Sequence, residues 1–388
     1  MAKFVTQQKL ELLCERLRSV GIDVAIFQDF EYRRDENVRY LSGHPMDAFF
    51  VLNVETGDRF LIPWDVLLAE KMAEATEIIS IKDHQQSYTA ALQHVIKEKI
   101  GKTSDFTIGT IDRYPAFGAV RLKDSGDNVK VDFDPLHLYE IIREIRATKT
   151  RIEIESLKKS CKLSSEIIPL IEEFIRDSDP TEVEVAVFAE GEMRKRGAEK
   201  VAFETMVTNP EHSNEIHCFP TAGKRKLKSR AGFGLIDFGM VYEAMCSDIT
   251  TPFIFGKISK EQEKMMETVI ETHDLAIDYL KENTGVLGSD LSELANKNIE
   301  KNGFTMPHGL GHGLGLATHD SPGIRRKPEN PEDLKFFKDS KLEPGMVVTI
   351  EPGVYQEGKG GFRLEDDILI TKNGVEVLTE SRPLKFEL

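Results

Sequence analysis

The chain runs to 388 residues, with 51 Lys and Arg against 66 Asp and Glu and a formal charge of −15. That length is too great for one ordinary compact domain and comfortable for two, of roughly 150 and 240 residues. The acidic balance argues against a polyanion-binding surface, because nucleic-acid binding draws on Lys and Arg to displace counterions. No run approaches the roughly eighteen apolar residues of a membrane span, and the polar opening MAKFVTQQKLELLCERL does not read as a signal sequence; a cytoplasmic protein with neither nucleic-acid nor membrane partners is expected.

Between Lys9 and Val20, the residues Leu10, Leu13, Leu17 and Val20 recur at helical spacing before Gly21, which predicts an amphipathic opening helix. Strand-like runs follow at 23–27 and 48–54, a turn at 55–58 leads into 59–63, and alternation returns at 105–111. With a helix around 136–145 these residues read as an α/β unit. Charge clusters at 146–155 just before a long helical period resumes, which places a boundary near residue 148 and divides the chain into domains 1–147 and 148–388. Beyond it, helices are expected at about 151–177, 181–197, 259–283 and 289–302, and strands at 346–355 and 362–371. Grouped helices and antiparallel strands make the predicted class α+β rather than a doubly wound parallel sheet. The four cysteines, Cys14, Cys161, Cys218 and Cys246, show no CxxC spacing and are expected to be reduced.

The second domain concentrates acids and histidines in strand and turn segments. Asp237 ends the apolar strand of Gly234-Leu-Ile-Asp-Phe-Gly239, and Asp248 follows in Cys246-Ser-Asp-Ile-Thr250. A hairpin between them brings both carboxylates to one spot, where mutual repulsion raises a pKa unless a cation intervenes. Either aspartate alone reads as readily as a turn cap. Downstream, His308, His312 and His319 stand in the glycine-rich run HGLGHGLGLATH, where glycine lets backbone approach a ligand closely. Glu351 closes the strand Val347-Val-Thr-Ile-Glu351 before Pro352, and Glu365 lies in Gly361-Phe-Arg-Leu-Glu365. Singly, each glutamate is also consistent with a surface strand end; four such clusters in one domain are not readily coincidental. Four carboxylates and one imidazole suit two divalent ions such as Mn, Co or Zn better than a closed thiolate zinc. Two ions about 3.5–4 Å apart can share a hydroxide and clamp a hydrolytic transition state, so hydrolysis is the expected reaction.

In order and spacing these motifs resemble the pita-bread metallopeptidases, the superfamily of prolidase, aminopeptidase P, methionine aminopeptidase and creatinase. The resemblance runs from about Ile152 onward, and the segment Asn37-Val-Arg-Tyr-Leu-Ser-Gly43 makes the smaller first domain look like that of prolidases and aminopeptidases P. It implies a pita-bread catalytic domain and a dinuclear site held by Asp237, Asp248, His312, Glu351 and Glu365. Asp237 serves one ion, Asp248 and Glu365 bridge, and His312 and Glu351 complete the other. Glu351 is also the implied proton carrier. His217 and His319 resemble the histidines that face substrate and the scissile carbonyl, His308 a supporting pocket histidine, and Arg363 an arginine that orients Glu365 or the substrate. The implied activity is Xaa-Pro dipeptide hydrolysis by a homodimer. Aminopeptidase P action on longer peptides is the near alternative; a creatinase-like C–N hydrolase and a non-catalytic peptide-binding module are the more distant ones.

The chain departs from the family pattern at several places. Thr251 and Pro252 follow Thr250 where the family often has Arg-Thr, and Met245 stands at a common tyrosine position. The segment 207–214 differs from the usual Ala-Ser-Gly-x-Asn, and His319-Asp-Ser-Pro322 replaces His-Glu-x-Pro. The segment 322–345 is long, and its Arg325 and Arg326 are candidates either to hold a dipeptide carboxylate or to form a solvated basic turn.

Overall fold

The computed structural model describes residues 4–111 and 116–388, which fall into two compact units, Met1–Arg146 and Ala147–Leu388. In the first, helix α1 (Gln7–Ser19) opens where the Thr6 side chain accepts the Lys9 N–H, and it buries Leu10, Leu13, Cys14 and Leu17. Val20 lies just past its end as the C-cap. Six strands, β1 (Val24–Asp29), β2 (Ala48–Asn53), β3 (Arg59–Pro63), β4 (Glu77–Ile78), β5 (Thr107–Thr110) and β6 (Lys130–Asp132), form one sheet in the order β4-β3-β2-β1-β5-β6. Central β1 pairs antiparallel with β2 and parallel with β5. Strand β2 is buried along its whole length, which explains its unbroken apolar run in place of alternation.

The second unit begins with helices α2 (Arg151–Ser165), α3 (Ile168–Asp177) and α4 (Glu182–Lys195). Reciprocal capping boxes at Thr150/Glu153 and Thr181/Glu184 start the first and third, each satisfying two otherwise orphaned N–H groups. The single helix expected over 151–177 is two helices. Pro169 has no N–H to donate and sits in the first turn of α3, where that loss is harmless. Six strands follow: β7 (Lys200–Val201), β8 (Met206–Thr208), β9 (Gly232–Phe238), β10 (Met240–Tyr242), β11 (Met245–Cys246) and β12 (Ile249–Phe255). Helices α5 (Lys260–Glu282) and α6 (Gly288–Lys301) come next, then β13 (Gly311–Gly313), β14 (Asp320–Ile324), β15 (Val347–Ile350), β16 (Gly353–Gln356), β17 (Gly360–Arg363), β18 (Asp366–Thr371), β19 (Gly374–Val377) and β20 (Leu384–Phe386).

Two larger sheets carry this unit, one ordered β20-β12-β9-β8 and the other β14-β13-β15-β18-β19. A core of α5 and α6 residues, including Val269, Leu280, Leu291 and Ile299, packs with Val348, Ile350, Ile368 and Ile370 of the second sheet. A separate core joins Ile171, Ile175, Val185 and Ala189 of α3 and α4 to Ile236, Phe238, Phe253 and Phe255. Fully burying such side chains contributes about 1.5–3 kcal/mol each, so both sheets are held rigidly from the helix side. The continuous strands expected at 346–355 and 362–371 are each broken, because Pro352 cannot donate to a ladder and Leu364 and Glu365 lie between β17 and β18. The pieces β16 and β17 form their own ladder.

Candidate metal centre

Strand register brings the four acids together. Strands β9 and β12 are antiparallel with Asp237 opposite Thr250, and Asp248 is the residue before β12. In the other sheet, Ile350 of β15 pairs with Asp366 of β18; Glu351 and Glu365 extend from that pair at the same end of the ladder. The Glu365 N–H donates to the Thr250 carbonyl (3.3 Å), which joins the two sheets where the carboxylates converge, and the Glu351 N–H donates to the Leu310 carbonyl (2.8 Å) just before β13 of its own sheet. His312 lies in the middle of short β13, with its N–H donated to Thr349 Oγ1 at 3.1 Å. The glycines beside it are required by backbone packing: a Cβ on Gly311 would lie 2.0 Å from the Thr349 carbonyl oxygen, and one on Gly313 would lie 2.0 Å from that of Ser321. The expectation that they make room for a ligand is corrected at these two positions.

His217, Asp237, Asp248, His308, His312, His319, Glu351, Arg363 and Glu365 all line one cavity of about 460 Å³, whose remaining wall is formed by Phe203, Glu204, Met206, Ile216, Thr221 and Thr318. His312 Nε2 lies 3.6 Å from Asp248 Oδ2 and 3.6 Å from Glu351 Oε1. Donor atoms of Asp248, His312 and Glu365 fall within 4.8 Å of one another. The His312 and His319 rings meet edge to face at 4.3 Å between centroids.

The crowding has electrostatic consequences. Burial, then the Glu365 and Asp237 charges, hold the Asp248 carboxyl well above its usual range. Burial and Glu351 do the same to Glu365. Burial lifts Glu351 to about 7 against the opposing pull of the Arg363 guanidinium. The imidazoles shift the other way: burial and His319 lower His312 to about 4, and burial lowers His308 to about 4, so both rings are neutral at pH 7. Neutral imidazole is the metal-binding form, and clustered carboxylates regain ordinary acidity when a multivalent cation sits among them. Asp237 Oδ1 is buried and has no hydrogen-bond partner, although its Oδ2 accepts from Arg363 Nη2 at 2.6 Å. A buried acceptor left in that state needs a cation or donor to be tolerated. The donor set therefore fits divalent metal ions.

A second layer of residues orients this set. Arg363 also donates through Nε to Thr250 Oγ1 (3.0 Å) and through Nη1 to the Tyr355 hydroxyl (2.8 Å). The Thr250 hydroxyl in turn donates a hydrogen bond to Glu365 Oε2 at 2.7 Å, and His308 Nε2 lies 3.1 Å from the Tyr355 oxygen. Behind Asp248, the Asp367 carboxylate accepts the Asp248 N–H (3.0 Å) and the Cys161 thiol (3.2 Å). Tyr355, Asp367 and Cys161 were not singled out from the sequence. Their only signal is that Tyr355 and Asp367 flank the glutamate motifs; nothing in the sequence connects Cys161 to them.

One reading of Arg325 and Arg326, as the pair holding a dipeptide carboxylate, is corrected here. Arg325 and Arg326 do not line the cavity: Arg325 stacks over the Phe337 ring at 5.6 Å, and Arg326 pairs with Glu293 and Glu300 of α6 at 2.9 and 2.7 Å. Thr251 is fully buried with its hydroxyl 3.3 Å from that of Ser381. Met245 is likewise fully buried. Cys218 and Cys246 are buried thiols outside any disulfide and do not line the cavity; the Cys246 thiol donates to the Leu316 carbonyl at 3.5 Å, and burial pushes the Cys218 thiol up to about 11.

Residues 155–372 match the model of metallopeptidase family M24. An uncharacterized peptidase of Staphylococcus epidermidis is 36% identical over 241 residues, covering 62% of this chain and 64% of that protein; the match thus spans under two thirds of the curated relative. Among solved structures, the Xaa-Pro dipeptidase of Bacillus anthracis superposes with a TM-score of 0.82 at 27% identity, over 98% of this chain and 99% of the other. The X-Pro aminopeptidase of Thermotoga maritima does so with a TM-score of 0.80, also at 27% identity and with coverage of 98% and 99%. The fold is thus the pita-bread arrangement of those enzymes across nearly the whole chain, and the chain belongs to metallopeptidase family M24.

Proposed function

We propose that this chain hydrolyses the bond between a residue and a following proline, first of all in Xaa-Pro dipeptides. Asp237, Asp248, His312, Glu351 and Glu365 are the residues that would hold two divalent ions, of Mn, Co or Zn. The observation that carries the reading is the convergence of these five donors on one cavity with the Asp237 Oδ1 acceptor unpaired. Such ions supply Lewis acidity to the scissile carbonyl and lower the pKa of attacking water.

The remaining steps belong to side chains. Glu351, on the cavity wall, is placed to take a proton from the attacking water and deliver it to the proline nitrogen as the bond breaks. His217 and His319 on the cavity wall present ring N–H groups toward the oxyanion that develops at the carbonyl. His308, held to Tyr355, keeps that side of the pocket polar and uncharged. Arg363, bridging Asp237, Tyr355 and Thr250, fixes the carboxylates in place.

In this reading the catalytic domain is 148–388, preceded by domain 1–147. The protein works as a cytoplasmic homodimer, in keeping with the family resemblance. Among the described helices none is long and apolar enough to cross a membrane. One observation favours the longer-peptide alternative: among the described residues Arg363 is the only Lys or Arg lining the cavity, and Asp237 already engages it, whereas a dipeptide's free carboxylate asks for a cation. The test is metal-reconstituted enzyme offered Xaa-Pro and Xaa-Pro-Yaa peptides, with Glu351→Gln as control. Cleavage of the dipeptide by wild type and its loss in the variant is expected. Preference for the tripeptide moves the assignment to aminopeptidase P, and no cleavage of either removes the reading.

A further inference from the structure

Of the cavity residues, His217 has the least regular support. It is exposed and lies in the segment between Asn209 and Gly223, which supplies Ile216, His217 and Thr221 to the cavity and contains no helix or strand. The middle of this segment is tied to β17: the Ser213 hydroxyl accepts the Gly361 N–H at 3.1 Å, and the Ile216 carbonyl accepts from Arg363 Nη1 at 3.4 Å. Its two ends are tied to one side chain. Glu182, the first residue of α4, is completely buried. Its Oε1 accepts the N–H of Asn209 at 2.9 Å and its Oε2 the N–H of Gly223 at 2.9 Å.

The backbone of the same helix turn reinforces the link, because the N–H groups of Glu182 and Val183 donate to the Arg225 and Gly223 carbonyls at 3.0 and 2.9 Å. His212 Nε2 stands 2.7 Å from Glu182 Oε1, inside the segment that the carboxylate closes. A Cβ on Gly223 would come 2.9 Å from Glu182 Oε2, so the glycine is what lets the carboxylate reach the backbone. A capping role alone asks nothing of this kind: the N-cap here is Thr181, and Glu184 completes its box. Burying a carboxylate is costly unless its acceptors are filled, and here they are filled by the two ends of the segment that presents His217.

We propose that Glu182 is a positioning residue for His217: its buried carboxylate staples both ends of the 209–223 segment and so fixes where that imidazole meets the substrate. The inference rests on the hydrolytic reading above. Positional errors of about 1 Å at a reacting group cost on the order of 10²-fold in rate. Glu182→Gln keeps the shape but offers one oxygen for two N–H donors, so one end of the segment is released.

The test is a double-mutant cycle of Glu182→Gln with His217→Ala on the metal-loaded enzyme, read together with metal content and amide exchange of Asn209 and Gly223. Glu182→Gln is expected to lower kcat by about 10–100-fold with little change in KM. It should leave metal content at the wild-type level and speed exchange at one of the two amides, the one facing the side-chain NH2 in place of an oxygen. In the His217→Ala background it should cost nothing further, since residues acting as one unit are not additive. Full additivity, loss of metal, or unchanged exchange would overturn the proposal. Gly223→Ala, which pushes on the same staple from the loop side, carries the cycle if Glu182→Gln does not fold. Should wild type cleave no Xaa-Pro peptide, the functional reading fails by itself, and amide exchange alone still decides whether Glu182 closes the segment.

Discussion

The acids of the cavity and its rim histidines are mounted in different ways. Asp237, Asp248, Glu351 and Glu365 lie in or next to paired strands, where register fixes each relative to the others. His217 and His308 lie on connecting segments, and His319 directly precedes β14. Strand mounting gives rigidity, and it also forces like charges together in a buried place, where burial and mutual repulsion raise the pKa values of Asp248, Glu351 and Glu365. Segment mounting leaves the imidazoles dependent on individual hydrogen bonds, such as His308 to Tyr355. The first group is built to need a cation. The second is built to present neutral or donating nitrogen to a substrate.

The largest expected effect breaks the acid cluster itself. Asp248→Ala should abolish turnover and lower bound metal per chain, as measured by elemental analysis of dialysed protein; retention of full metal content would mean that the acids are not the metal-holding group. A smaller effect is expected at the rim. His319→Ala should keep metal content and lower kcat by about 10²–10³-fold, the usual cost of removing an oxyanion donor. If the variant also loses metal, the division between the two groups is wrong.

The smallest effect concerns stability without metal. The raised pKa of Glu351, from 4.5 to about 7, and of Asp367, from 3.8 to about 8, means that the folded protein holds protons which the unfolded chain releases. The stability they contribute is complete below the unfolded values and is lost as pH rises through the folded ones. His308 and His312, lowered from 6.5 to about 4, work in reverse and lose stability as pH falls through that range. Between pH 6.5 and 8 the carboxylate trend leads, and His273, raised against its burial by the Asp366 carboxylate, runs in the same direction. Metal-free protein should therefore melt at lower temperature at pH 8 than at pH 6.5, and added divalent metal should flatten the difference. A melting temperature that rises over that interval without metal would contradict the electrostatic account of the acid cluster.

Much of this was visible in the sequence because strand-borne chemistry leaves local marks. Asp237, Asp248, Glu351 and Glu365 each interrupt or end an apolar β-type run, and His312 is framed by glycines; short-range patterning marks such positions, and a motif order common to a family reinforces them. The same locality explains the errors. A periodic stretch over 151–177 concealed the break before Pro169, and apolar runs at 346–355 concealed a change of ladder partner at Pro352. Arg325 and Arg326 looked available beside the His319 motif because spacing along the chain says nothing about Phe337, Glu293 or Glu300.

The amino-acid sequence by itself determined the class of donors, their grouping in the later part of the chain and the hydrolytic chemistry that carboxylates with imidazole imply, since these follow from side-chain identity. Only the tertiary structure decided which groups share the cavity's shell. Tyr355 beneath Arg363, Cys161 behind Asp367, and Glu182 closing the segment that bears His217 depend on contacts between residues far apart in sequence, and such contacts are fixed by packing and strand register rather than by local pattern.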